Sequence, residues 1–211
     1  VTVKEFNENL FVTMVTKMGL VKKVALSEFS NPRKIGIIAI NLNRGDRLVD
    51  ARLTDGTQDL IIGTRKGMAI RFNERDIRPM GRQATGVRGV KLEKGDEVIG
   101  MVTVKRPGTT ILVVTEKGFG KRSDLNDYRV THRGGKVIIA VKVNEKTGDM
   151  VAIKEVLDND DIMVVTAKGY LIRYHVKDIR VMSRQAQGVK LIKLNHGDTI
   201  ASVASVVSEE D

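Results

Sequence analysis

Two short markers recur in step along the 211 residues. Thr-x-x-Gly stands at Thr16–Gly19, Thr64–Gly67, Thr115–Gly118 and Thr166–Gly169, with the glycines 48, 51 and 51 residues apart. Gly-Asp stands at Gly45-Asp46, Gly95-Asp96, Gly148-Asp149 and Gly197-Asp198, spaced 50, 53 and 49 residues. Two markers held in phase define a repeated supersecondary unit. Such a unit cannot bury its apolar face alone, so the repeat constrains the fold more than composition does.

Each unit reads as four strands. Short apolar runs rich in β-branched residues precede the first glycine: Phe11–Val15, Leu60–Ile62, Ile111–Val114 and Ile162–Val165. They are too short for helices, and their unbroken apolarity implies burial on both faces. Thr-x-x-Gly then makes a tight hairpin turn whose glycine takes positive φ. A second strand follows: Leu20–Lys23, Met68–Arg71, Phe119–Arg122 and Tyr170–Arg173. After a polar loop, a third alternating strand is expected at Ala39–Leu42, Gly89–Leu92, Ala140–Val143 and Leu191–Leu194. The Gly-Asp turn leads into a fourth, such as Glu97–Val102 or Asp149–Ile153. No segment keeps a 3.6-residue period. The expected fold is all-β and propeller-like, four repeats of four-stranded blades with almost no helix.

The repeats divide the chain at 9–57, 58–108, 109–159 and 160–208, followed by an acidic tail at 209–211. Val1-Thr2-Val3-Lys4 matches Val102-Thr103-Val104-Lys105, the end of a fourth strand. Residues 1–8 are therefore expected to be the last strand of a preceding blade, which makes the chain a fragment of a larger array.

Absent cysteines exclude disulfides, thiolate metal sites and cysteine nucleophiles. No apolar run nears the ~18 residues of a membrane helix, and no membrane association is expected. His132, His175 and His196 have no metal-pairing spacing. Asp46, Asp96, Asp149 and Asp198 recur beside turn glycines, as turn-forming aspartates do. Asp158-Asn159-Asp160-Asp161 lacks the glycine and distal glutamate of a calcium loop. No catalytic constellation, metal site or cofactor is expected, and the isolated chain is expected to be a monomer.

The net charge of +10 points to an anionic partner. Cations recur at the second strands (Lys22, Lys23, Arg71, Lys121, Arg122 and Arg173) and in the long loops (Arg33, Lys34, Arg82, Arg88, Arg133, Lys136, Arg184 and Lys190, with Arg129 and Arg180). Repetition would place equivalent cations on one face and suit duplex DNA, bound through phosphates without base reading. The eight aromatic residues, none of them Trp, speak against single-strand binding by base stacking. A propeller-type protein-interaction scaffold with incidental charge is the other reading.

The units resemble the C-terminal domain of bacterial DNA gyrase A, the DNA-wrapping β-pinwheel. The resemblance rests on the basic Thr-x-x-Gly hairpins, Lys22-Lys23-Val24-Ala25-Leu26-Ser27-Glu28-Phe29, Arg71-Phe72 with Arg78-Pro79-Met80-Gly81, Thr85-Gly86-Val87-Arg88-Gly89-Val90-Lys91-Leu92, and Gly118-Phe119-Gly120-Lys121-Arg122. The corresponding C-terminal domain of topoisomerase IV is the nearest relative of that family. The resemblance implies blades that exchange strands, duplex DNA wrapped on a basic perimeter, and a non-catalytic role in ATP-dependent negative supercoiling. It implies partnership with the remainder of gyrase A and with gyrase B in the bacterial cytoplasm, at the nucleoid. The family's Gln-Arg-Arg-Gly-Gly-Lys-Gly box has no full copy here. Its nearest match is His132-Arg133-Gly134-Gly135-Lys136-Val137, so the repeats resemble the later blades of the array.

Overall fold

The computed structural model describes residues 2, 3, 6 and 8–206. The acidic tail lies outside them, and so does most of the charged stretch of the opening segment. The fold is all-β. Among the described residues the helical elements are four 3-10 turns of three or four residues.

The strands run in chain order as β1 (Phe11–Thr16), β2 (Leu20–Ala25) and β3 (Leu48–Thr54), then β4 (Asp59–Thr64), β5 (Met68–Asn73), β6 (Val87–Arg88) and β7 (Val98–Val104). The third repeat gives β8 (Thr110–Thr115), β9 (Phe119–Asp124), β10 (Val130–Thr131), β11 (Ile138–Ile139) and β12 (Met150–Val156). The fourth gives β13 (Asp161–Thr166), β14 (Leu171–His175), β15 (Val189–Lys190) and β16 (Ile200–Val206). The sheet orders are β3-β1-β2-β6, β10-β5-β4-β7 with β11 also on β5, β12-β8-β9-β15, and β14-β13-β16.

The hairpins form as the sequence predicts, and the threonine supplies half of the turn. In the first, Gly19 N donates to Thr16 O (3.0 Å) and Leu20 N to Thr16 Oγ1 (3.2 Å), with Gly19 at φ +84°. The other three turns repeat the glycine-to-threonine bond. Gly-Asp closes against the same turn: Asp46 Oδ1 accepts from Met18 N (2.9 Å), and Asp198 Oδ1 from Lys168 N (3.1 Å).

The third strand departs from expectation in position and in ownership. Pairing covers two residues, just before the expected segments, and it joins the sheet of the preceding repeat. β6 pairs with β2, β11 with β5, and β15 with β9, all antiparallel. Each complete sheet thus takes three strands from its own repeat and one from the next, the exchange that the resemblance implied. The expected residues still bond: Gly89 N and Val90 N both donate to Gly19 O (2.9 and 3.2 Å), and Ala140 and Val141 do the same to Gly67 O. Ala39–Leu42 forms no strand.

The chain divides into two units. The first comprises 1–62, 70–105 and 130–137, and the second 63–69, 106–129 and 138–211. The first unit packs around Val15, Val21, Leu60, Ile62, Ile70 and Phe72. The second packs around Leu112, Val114, Val156, Ile162, Val164 and Val176. Each fully buried side chain of this kind stabilises by roughly 1.5–3 kcal/mol.

Candidate nucleic-acid interface

The basic residues of the second strands are spent inside the protein. Lys22 is fully buried, and its Nζ donates to the carbonyls of Ala39 (2.8 Å), Ala84 (2.9 Å) and Arg82. Lys121 is equally buried and donates to Ser123 Oγ (2.7 Å) and the Ala140 carbonyl (2.9 Å). Burial holds both ammonium groups down to about 8, with Arg82 adding repulsion at Lys22 and Arg184 at Lys121. Burial lowers Lys23 as well, although its Nζ reaches the Glu74 carbonyl (2.8 Å) and carboxylate (3.8 Å). Arg122 is buried between the Ile179 carbonyl (2.9 Å) and Asp158.

Burial therefore removes Lys22, Lys23, Lys121 and Arg122 from the set of residues that can meet a phosphate. A buried cation persists only where polar atoms replace its water, and here loop carbonyls do so. Arg71 is mostly buried against Asp59 (2.7 Å). Arg173 is more exposed but is held by Asp161, which also accepts from His175 Nδ1 (2.5 Å). These contacts, with Arg106 to Asp160 (2.7 Å), neutralise the acidic run 158–161.

The loop cations divide into clamps and exposed groups. Arg133 donates to the carbonyls of Asp76 (2.9 Å) and Arg88 (3.1 Å). Arg184, 51 residues on, repeats this with the carbonyls of Asp127 (3.1 Å) and Ile139. Both arginines tie a loop to the end of a 3-10 turn and to a donated strand. Arg82 is half-buried, 3.9 Å from Glu28. Arg33, Lys34, Arg88, Lys136 and Lys190 are exposed. Lys190 lies 5.9 Å from the centroid of the Phe119 ring, its ammonium over an aromatic face.

Two exposed series escaped the sequence reading, which gave its weight to the second strands. Arg78, Arg129 and Arg180 stand at 51-residue intervals, each just after a 3-10 turn and each exposed. Lys91, Lys142 and Lys193 stand at the same interval just after the donated strands, and all three are exposed. Phase across repeats, and not local charge density, was the signal that could have found them.

These features define a class: an all-β repeat of strand-exchanged blades whose outer loops carry recurring cations. The sequence pattern of the family described as "DNA gyrase C-terminal domain, beta-propeller" matches at residues 11–55, 58–105, 109–156 and 160–206. The chain belongs to that family. It is 44% identical over 206 residues to the DNA gyrase A protein of Staphylococcus epidermidis (strain ATCC 12228), a match covering 97% of this chain and 23% of that protein. The DNA gyrase A protein of Staphylococcus aureus (strain MRSA252) matches with the same identity and coverage. The chain thus spans about a quarter of the length of these relatives.

Among solved structures, the C-terminal domain of DNA topoisomerase IV superposes with a TM-score of 0.91 at 26% identity, covering 98% of this chain and 64% of that one. A DNA gyrase A C-terminal domain superposes at 0.87 and 27% identity, covering 97% and 68%.

Proposed function

We infer that the chain is a non-catalytic module of gyrase A that binds duplex DNA through phosphates and wraps it for negative supercoiling. It acts beside the remainder of gyrase A and beside gyrase B in the bacterial cytoplasm. The observation carrying this reading is the recurrence of exposed cations at fixed phase. Arg78, Arg129 and Arg180 offer guanidinium groups from three successive repeats, and Lys91, Lys142 and Lys193 offer ammonium groups. A duplex presents phosphates at regular intervals, so a regular series of cations suits it without base recognition. Bending 20–30 bp by 40–90° costs on the order of 1–6 kcal/mol, which several phosphate contacts can offset.

Fluorescence anisotropy with unrelated duplexes tests this. The logarithm of affinity should fall with the logarithm of salt by about 0.9 per neutralised phosphate. The triple Arg78→Gln, Arg129→Gln, Arg180→Gln variant should flatten that slope by about three. Affinity indifferent to salt would sink the reading.

The superposition on topoisomerase IV favours a second reading, in which the module bends and delivers duplex without wrapping it. The two readings share their phosphate contacts and part at the linking number of the bound DNA.

A further inference from the structure

The strand exchange leaves one donor and one acceptor unmatched among the described residues. β14 pairs only with β13, so the last sheet has three strands. The Thr-x-x-Gly glycines of the earlier repeats sit hard against a donated strand. A Cβ on Gly19 would lie 2.9 Å from the Val90 carbonyl oxygen, on Gly67 2.3 Å from that of Val141, and on Gly118 2.6 Å from that of Ile192. At Gly169, nothing lies within 4 Å. Beside it, Tyr170 and Leu171 are 53% and 62% exposed, whereas the equivalent Phe119 is 7% exposed under its donated strand.

The unmatched donor is Gly36-Ile37-Ile38-Ala39-Ile40-Asn41-Leu42. It aligns with Gly86-Val87-Arg88-Gly89-Val90-Lys91-Leu92 and with Gly188-Val189-Lys190-Leu191-Ile192-Lys193-Leu194. Gly36, Gly86 and Gly188 share positive φ (81°, 101° and 86°). The segment is also held like a docked donor: Lys22 Nζ grips the Ala39 carbonyl at 2.8 Å, as Lys121 grips Ala140 at 2.9 Å. Its apolar side chains remain exposed, Ile35 at 92% and Ile38 at 58%.

We propose that residues 36–42 of one copy of this chain add to the β14 edge of a second copy, giving head-to-tail association by strand donation. The three internal exchanges set the register. Val189 opposes Gly120 and Lys190 opposes Phe119, so Ile37 opposes Leu171 and Ile38 opposes Tyr170. Ala39 N and Ile40 N then donate to Gly169 O, as Leu191 N and Ile192 N donate to Gly118 O. Four apolar side chains leave water together, and the unpaired backbone of an edge strand is satisfied. The interface is heterologous, so each copy keeps one free donor and one free acceptor for growth.

Sedimentation velocity of the 211-residue chain across a concentration series tests this. The average mass should rise from that of one chain past twice that value. Ala39→Pro removes a donor N–H and Leu171→Pro blocks the receiving edge. Each variant alone should stay at the mass of one chain, and an equimolar mixture should form a 1:1 dimer that grows no further. Hydrogen exchange on the unmodified chain gives a reading independent of both variants: protection of the Ala39, Ile40 and Leu171 amides should increase with concentration. A single-chain mass at every concentration, association that survives both substitutions, or protection independent of concentration would each overturn the proposal.

Discussion

Gly118→Ala and Gly169→Ala place the same methyl group in the same turn of two repeats, at φ +82° and +87°. Both variants bear the left-handed penalty of a residue with a Cβ, about 1–2 kcal/mol. Both recover the same few tenths from the unfolded chain. They differ in what the methyl group meets. At Gly118 it would stand 2.6 Å from the Ile192 carbonyl oxygen, so the donated strand must move. That movement breaks the bonds from Leu191 N (2.9 Å) and Ile192 N (3.2 Å) to Gly118 O and disturbs β15. Two backbone bonds at roughly 0.5–1.5 kcal/mol each give an extra cost of about 1–3 kcal/mol. With a urea slope of about 2 kcal/mol/M, the Gly118→Ala midpoint should fall about 0.5–1.5 M below that of Gly169→Ala. Far-UV circular dichroism of dilute protein reads the midpoint, and hydrogen exchange at Val189–Ile192 reads the strand. Equal midpoints with unchanged exchange would refute the claim that the turn glycine is the seat of strand exchange.

Other substitutions separate structural cations from those available to a ligand. Lys22→Met strips the donor from three loop carbonyls and should cost about 3 kcal/mol or more in urea denaturation. Lys22 and Lys121 are depressed to about 8 when folded, so between that value and the ordinary lysine range the unfolded chain holds more protons. Stability should therefore rise over that interval as pH increases, and Met at both positions should flatten the rise when midpoints at about pH 7.5 and about pH 10 are compared. Arg133→Gln should lower the urea midpoint because its guanidinium clamps two carbonyls. Lys136→Gln, at an exposed position, should leave the midpoint unchanged and weaken duplex binding in anisotropy titrations.

The repeat and its hairpins were legible because their causes are local. A β-branched run, a turn threonine and a glycine at positive φ act within ten residues of one another. Membership of the third strand was not legible. Gly89–Leu92 alternates as a strand should, but alternation does not say which sheet accepts it, and the acceptor Gly19 lies 70 residues away. The roles of the cations failed for a related reason. Lys22 looks like a strand-end surface lysine until the Arg82 and Ala84 carbonyls, contributed by the next repeat, close over it. Arg78, Arg129 and Arg180 stayed hidden as a series because each is unremarkable alone, and only superposing the repeats brings them together.

The central claim is that the exposed cations wrap duplex DNA. Ligation of nicked circular DNA in the presence of increasing protein, followed by protein removal and topoisomer analysis, tests it directly. Wrapping predicts a topoisomer distribution displaced in one direction in proportion to bound protein, with the displacement reduced by salt and by Gln at positions 78, 129 and 180. A distribution that stays unchanged while anisotropy shows the DNA bound would contradict it.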